Sequence, residues 1–309
     1  MNIPRMRVAI FAALVCSISA HAQQFDVIIR GGVIYDGSGG APVVGDLAIR
    51  GDRIQRIGRL GKARARLEIN AAGRAVAPGF INMMSGGGAA LIQDGRAESD
   101  IRQGVTLEIS GEGESMGPLT QELREYKEAR EGDIKYAVDW NTLAEGLERL
   151  AQRGVSCNVA SFVGAATIRE NVLGFANRAP TAPELERMRG LTRLAMQEGA
   201  LGVGSALIYA PGGYAKTDEL IALAEEAGKY GGIYISHMRS EADQLLEAVD
   251  ELIAIARAAH VPAEIYHLKA AGRRNWSKLD DVIKKVEAAR ASVSASLPIC
   301  TPTRPLRRD

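Results

Sequence analysis

From Phe25 to Ala77, apolar and polar residues alternate in short runs cut by glycine, as in "FDVIIRGG", "DLAIRGDRIQRIG" and "LEINAAGRAVAPG". A period of two, as in Asp46-Leu47-Ala48-Ile49-Arg50, places successive side chains on opposite faces and predicts strands, with Gly51-Asp52 as a hairpin turn. After Pro78 the rhythm changes. Apolar runs at Phe80 to Met84, Val105 to Ser110, Ser156 to Phe162, Ala200 to Ala206, Gly232 to His237 and Ala263 to His267 predict strands. Helical spacing predicts helices at Trp140 to Arg153, Ala182 to Gln197, Thr217 to Tyr230, Glu241 to Ala259 and Lys278 to Ala289. Strands alternating with helices over this length imply a parallel sheet with crossover helices. No glycine-rich dinucleotide fingerprint follows the first strand, so the pattern favours a (β/α) barrel, six of whose strands are visible.

The first residues change the picture of where the protein works. Arg5 and Arg7, an apolar run from Val8 to Val15 and Ala20-His21-Ala22 have the layout of a secretory signal peptide over residues 1–22. The run is too short to span a bilayer, so a secreted or periplasmic protein, free of the membrane after cleavage, is expected. Cys16 offers a lipoprotein alternative, although Val15 before it is bulky for such a site. Cleavage would leave Cys157 and Cys300, too few for a disulfide framework. Of 309 residues 46% are hydrophobic, and 38 basic residues against 37 acidic leave a net charge of +1. Nothing in that balance draws nucleic acid or an anionic membrane, and a small-molecule substrate is expected.

Beyond residue 22 three histidines remain. His237 and His267 each end an apolar strand, where a barrel delivers side chains to its catalytic face, and their pairing suggests a shared metal site. His260, at a helix end in "ARAAHVP", is placed to complement the helix dipole. Imidazoles with a carboxylate suit zinc, whose open position would activate water for amide hydrolysis. Glu112 and Glu114 in "EISGEGESMGP" are candidate carboxylates, a solvated turn being the alternative. Lys269 and Arg239, each two residues past a histidine, could offer a cation to a substrate carboxylate, and surface charge is the alternative for both. Tyr209 and Tyr214 in "ALIYAPGGYAKT" could shape a pocket rim or simply pack. Ser115 and Ser236 lack a nucleophile-elbow context.

Together "FDVIIRGGVIYDGSG", "APGFI", "GVTLEISGEGESMGP", "SHMRSE" and "YHLKAAG" resemble the N-acyl-D-amino-acid deacylases, or D-aminoacylases, of the amidohydrolase superfamily, from Phe25 to about Ala291. The resemblance implies a small β-sandwich domain over 23–77 and an amidohydrolase (β/α) barrel over 78–291. It implies zinc on His237 and His267, an N-acyl amino acid substrate positioned by Lys269 and Arg239, and a general-base aspartate on an eighth strand. Two departures stand out. Asn82, Met84 and Gly86 replace the aspartate and two histidines of the first-strand motif, and the second-strand cysteine is absent, with Glu112 near its place as an oxygen ligand. One zinc, on His237, His267 and Glu112, is therefore expected rather than two.

The tail over 292–309 breaks the pattern, with Pro298, Pro302 and Pro305 where a seventh strand is due. Codons permitted for "LPICTPTRPLRRD" read two nucleotides later spell the family-like Ala-Asp-Met-Tyr-Thr-Tyr-Pro-Ala-Ala-Ala-Thr-Gly. A frameshift shortly before Leu297 is expected, leaving a C-terminally truncated, impaired barrel without the eighth-strand aspartate. The alternatives are a non-catalytic protein that kept a metal or ligand pocket, and a different amidohydrolase acting on cyclic amides.

Overall fold

A computed structural model describes residues 25–86 and 88–292. The expected signal peptide and the tail beyond Ser292, where a frameshift is expected, lie outside the described residues. The chain divides after Pro78 into two compact units.

The first unit is a mixed sheet of β1 (Phe25–Ile34), β2 (Val43–Arg50), β3 (Arg53–Gly58), β4 (Ala65–Asn70) and β5 (Ala75–Val76). Its order is β3-β2-β1-β4, with β5 also on β1. β2 and β3 form the predicted hairpin, and Gly51 takes the left-handed φ of +59° that its turn requires. Asp46 holds the sheet's centre by accepting from the Gly31 and Leu60 amides at 2.9 and 3.2 Å and from Arg30. Ile28, Ala48 and Leu60 form a small core. Ile54, Ile57, Leu67 and Ile69 are exposed. The implied sandwich is therefore one layer among the described residues, because every strand here joins a single sheet.

The second unit alternates strands and helices: β6 (Phe80–Asn82), α1 (Gly88–Gln93), α2 (Glu98–Ile101), β7 (Val105–Ser110), α3 (Gln121–Ala129), α4 (Leu143–Arg153), β8 (Asn158–Ser161), β9 (Val163–Gly164), α5 (Ala165–Leu173), α6 (Ala182–Gln197), β10 (Gly202–Ala206), α7 (Thr217–Gly228), β11 (Ile233–His237), α8 (Leu245–Ala259), β12 (Ala263–Ile265) and α9 (Leu279–Ser292). Every strand pair in it is parallel. The strands build two sheets, β6-β7-β8 and β12-β11-β10-β9. The strand expected over 156–162 is observed at Asn158–Ser161, the Phe162 amide still donates to the Ser110 carbonyl at 2.9 Å, and the short β9 beyond it belongs to the next sheet.

Burial falls on both faces of β10 and β11, as parallel sheets require. Leu220, Leu223 and Ala227 of α7 and Leu245, Val249 and Leu252 of α8 pack with Val203, Tyr234 and Ala263 on one face. Ile109, Phe162, Ile235 and Tyr266 cluster apart from them. Ser161, Ser205 and Ser236 lie on the strands, and Ser205 Oγ donates to Ser236 Oγ at 2.9 Å, so Ser236 has a structural partner. No helix among the described residues is long and apolar enough to cross a membrane.

Candidate metal centre

Three strand ends deliver the site. Glu112 follows β7, His237 closes β11, and His267 lies two residues beyond β12. Glu112 Oε1 is 2.9 Å from His237 Nδ1 and 3.2 Å from His267 Nε2, and the two ring nitrogens are 3.0 Å apart. Ligand atoms on a tetrahedral zinc with bonds of 2.0–2.1 Å stand about 3.3 Å from one another, so this oxygen and two nitrogens fit the ion in donor type and spacing. His237 is 5% exposed and its Nε2 has no hydrogen-bond partner among the described residues, which leaves Nδ1 as the nitrogen engaged in the cluster. His267 takes a left-handed φ of +34°, a strained backbone for a non-glycine residue of the kind that concentrates at functional sites. The imidazoles meet edge to face, 4.4 Å between centroids.

Glycines seat the loop that carries Glu112. A Cβ on Gly111, whose φ is +103°, would lie 2.4 Å from the Phe162 carbonyl oxygen. One on Gly204 would lie 2.1 Å from the carbonyl oxygen of Gly111. The backbone after β7 thus rests directly on its neighbours, and this contact sets the height of Glu112 against the histidines.

The remaining candidates divide. Tyr209 is exposed and packs its ring 5.5 Å from that of His237. Lys269 Nζ meets the carboxylate of Glu241 and lies 3.1 Å from His267 Nδ1. Arg239 does not join the cluster: it donates to both oxygens of Glu251 at 2.9 and 3.0 Å and to the carbonyls of Gly213 and Ala215 at 2.9 Å, clamping the loop after β10 to α8. Glu114 turns to Lys127, 2.7 Å away. His260 is the exposed C-cap of α8 with φ +55°, away from the centre. Ser115 donates to the Gly117 carbonyl and accepts from the Gly164 amide. Glu241 was not anticipated, yet its Oε1 stands 2.8 Å from His267 Nδ1 and 3.7 Å from His237 Nε2. Its spacing of four from His237 in "SHMRSE" is the one signal that could have marked it.

Two cavities adjoin the loop after β7. One of about 540 Å³ touches Glu112 and is walled by Met84, Ile92, Met116, Leu119, Val138 and Trp140. The other, about 880 Å³, holds Lys127, Arg130, Phe175 and Glu170. Burial first, and the charge of Glu114 second, push the Glu170 carboxyl up to about 7 against the pull of Lys127 and Arg130. The native state then keeps a proton that the unfolded chain releases above about 4.5, so stability is lost as pH rises from there through about 7. Glu170→Gln removes that loss. Its melting temperature is expected to match the parent at pH 4 and to exceed it at pH 8, by about 1–2 kcal/mol of stability once solvent screening is allowed for.

No protein-family model matches the chain. It is 33% identical over 277 residues to a D-aminoacylase of Alcaligenes xylosoxydans xylosoxydans, covering 89% of this chain and 57% of that protein. It is also 33% identical over 280 residues to an N-acyl-D-aspartate deacylase of the same organism, covering 87% and 54%. A solved N-acyl-D-glutamate deacylase of Bordetella bronchiseptica, complexed with zinc and a phosphonate mimic of the tetrahedral intermediate, superposes with a TM-score of 0.77 at 29% identity, over 87% of this chain and 56% of that one. The chain spans about half the length of the curated relatives it matches.

Proposed function

Since the chain belongs, over the part of a member that it spans, to the N-acyl-D-amino-acid deacylase family of the amidohydrolases, we propose that it forms the metal-binding part of a zinc-dependent hydrolase that removes the acyl group from N-acyl-D-amino acids. The convergence of Glu112, His237 and His267 carries this reading. One zinc there would polarise the amide carbonyl and lower the pKa of a bound water.

The chain's own residues supply the rest of the site. Glu112, His237 and His267 would hold the ion. Tyr209 forms the rim beside His237, and Lys269 stands next to His267, where it can meet the substrate carboxylate. The apolar wall of the cavity at Glu112 has the size and character to shelter the acyl group from water. Arg239 acts by fixing the loop that carries Tyr209, through its bonds to Gly213 and Ala215. No aspartate joins the cluster among the described residues. The proton-transferring aspartate implied by the family resemblance is thus not supplied by them, and impaired turnover by this chain alone is part of the proposal, as are the barrel, the frameshift and secretion to the periplasm or beyond.

The test is zinc content of the purified protein together with hydrolysis of N-acetyl-D-amino acids and their L enantiomers. Bound zinc with weak, D-selective turnover is the expected result. Absence of zinc overturns the metal reading, and robust turnover overturns the impairment. Sequencing the DNA past the Asp309 codon in the shifted frame tests the frameshift, which an absence of family-like coding there would refute.

A further inference from the structure

We propose that Glu241 is a positioning residue for the metal centre, fixing the tautomer and orientation of His267; the inference rests on the metal-site reading above. Glu241 lies in the turn between β11 and α8 and is held at both ends. Its backbone carbonyl accepts from the Ala271 amide at 2.7 Å, which ties down the chain that follows β12. Its carboxylate, 14% exposed, reaches His267 Nδ1 at 2.8 Å.

The argument turns on where a neutral imidazole keeps its one proton. His267 Nε2 faces Glu112 Oε1 and His237 Nδ1, so it is the end that serves a metal and it must carry a lone pair. The proton then sits on Nδ1. Two groups stand there. The Lys269 ammonium, 3.1 Å away, has only donors to offer. Glu241 Oε1 is therefore the acceptor for the ring proton, and the same oxygen takes the Lys269 ammonium, whose charge offsets its own. A ring whose backbone is held at a left-handed φ has particular need of such an anchor. Carboxylates that accept the second N–H of a metal-bound histidine commonly contribute 10–100-fold to metal affinity.

The test measures zinc affinity by competition with a chromophoric chelator for the parent protein, Glu241→Ala and Glu241→Gln, with folding followed by circular dichroism. Glutamine keeps a carbonyl oxygen that can accept from Nδ1. The expected result is zinc binding about 10–100-fold weaker in Glu241→Ala and within about threefold of the parent in Glu241→Gln. Parent-like affinity in Glu241→Ala overturns the inference alone. Equal loss in both variants also overturns it, since the residue would then act by its charge or as a ligand. A parent protein that binds no zinc overturns the metal-site reading on which the inference stands.

Discussion

His237→Ala is expected to empty the centre. A complete zinc ligand set contributes about 10–16 kcal/mol of binding free energy, so one of its members accounts for roughly 3–4 kcal/mol, or about 10²–10³-fold in affinity. His237 is the ligand candidate with least slack: it is 5% exposed, ends β11 in register with β10, and touches both Glu112 and His267. Zinc retained after gel filtration, measured by elemental analysis, should fall below stoichiometric detection, and any deacylation should fall with it. His260→Ala is the control, because that exposed C-cap lies apart from the cluster and should leave zinc content unchanged. Full zinc occupancy in His237→Ala would remove the ion from this place in the fold. His237→Gln, which keeps the volume, separates loss of a ligand from loss of packing.

Arg169→Met should be strongly destabilising to the second unit. Arg169 on α5 is fully buried and donates to Glu219 of α7 at 2.6 Å and to the carbonyls of Ala176 and Arg178 at 3.0 and 2.5 Å. Glu219 is 3% exposed, and burial pushes its carboxyl up even with the arginine beside it. Taking away one partner strands the other, which typically costs 3–5 kcal/mol, or about 10 °C in melting temperature for a chain of this size. The sign with pH follows from a raised carboxyl: stability is intact below the unfolded value and is lost as pH rises through the folded one, so the variant should be weakest in alkaline buffer. Thermal melts across pH check this. Arg169→Met/Glu219→Gln should recover much of the loss, and a double variant no better than the single would assign the effect to the two carbonyl bonds instead.

How much of this was legible depended on whether the forces acting on a residue are local. α6 begins and ends where its spacing predicts, because Thr181 and Glu184 form a capping box and Pro183 suits the first turn. The helix expected from Glu241 starts only at Leu245, since Ser240 Oγ accepts from the amides of Ala242 and Gln244 and holds a turn there. α5 gave no apolar stripe to read: Thr167, Arg169 and Glu170 are buried on it beside Ile168, so its polarity pattern carries no face. His237 and His267 could be placed because β11 and β12 are neighbours in one parallel sheet and present their C-terminal ends together. The aim of Arg239 could not, because the Glu251 that turns it away sits on the next helix. The exposure of Ile54 and Ile57 on β3 was equally hidden, as alternation shows that a strand has two faces but not that a second layer covers one of them.

The glycine seat under Glu112 has a consequence for how the centre should be mapped. A mutational scan that truncates side chains to alanine would outline it as a handful of acids and bases and pass over Gly111 and Gly204, where alanine adds an atom instead of removing one. At those two positions the informative substitution is the enlargement. Tolerance to it reports how far the backbone beneath the carboxylate can yield, so a library built on glycines measures the rigidity of the site, whereas one built on its ligands measures only its chemistry.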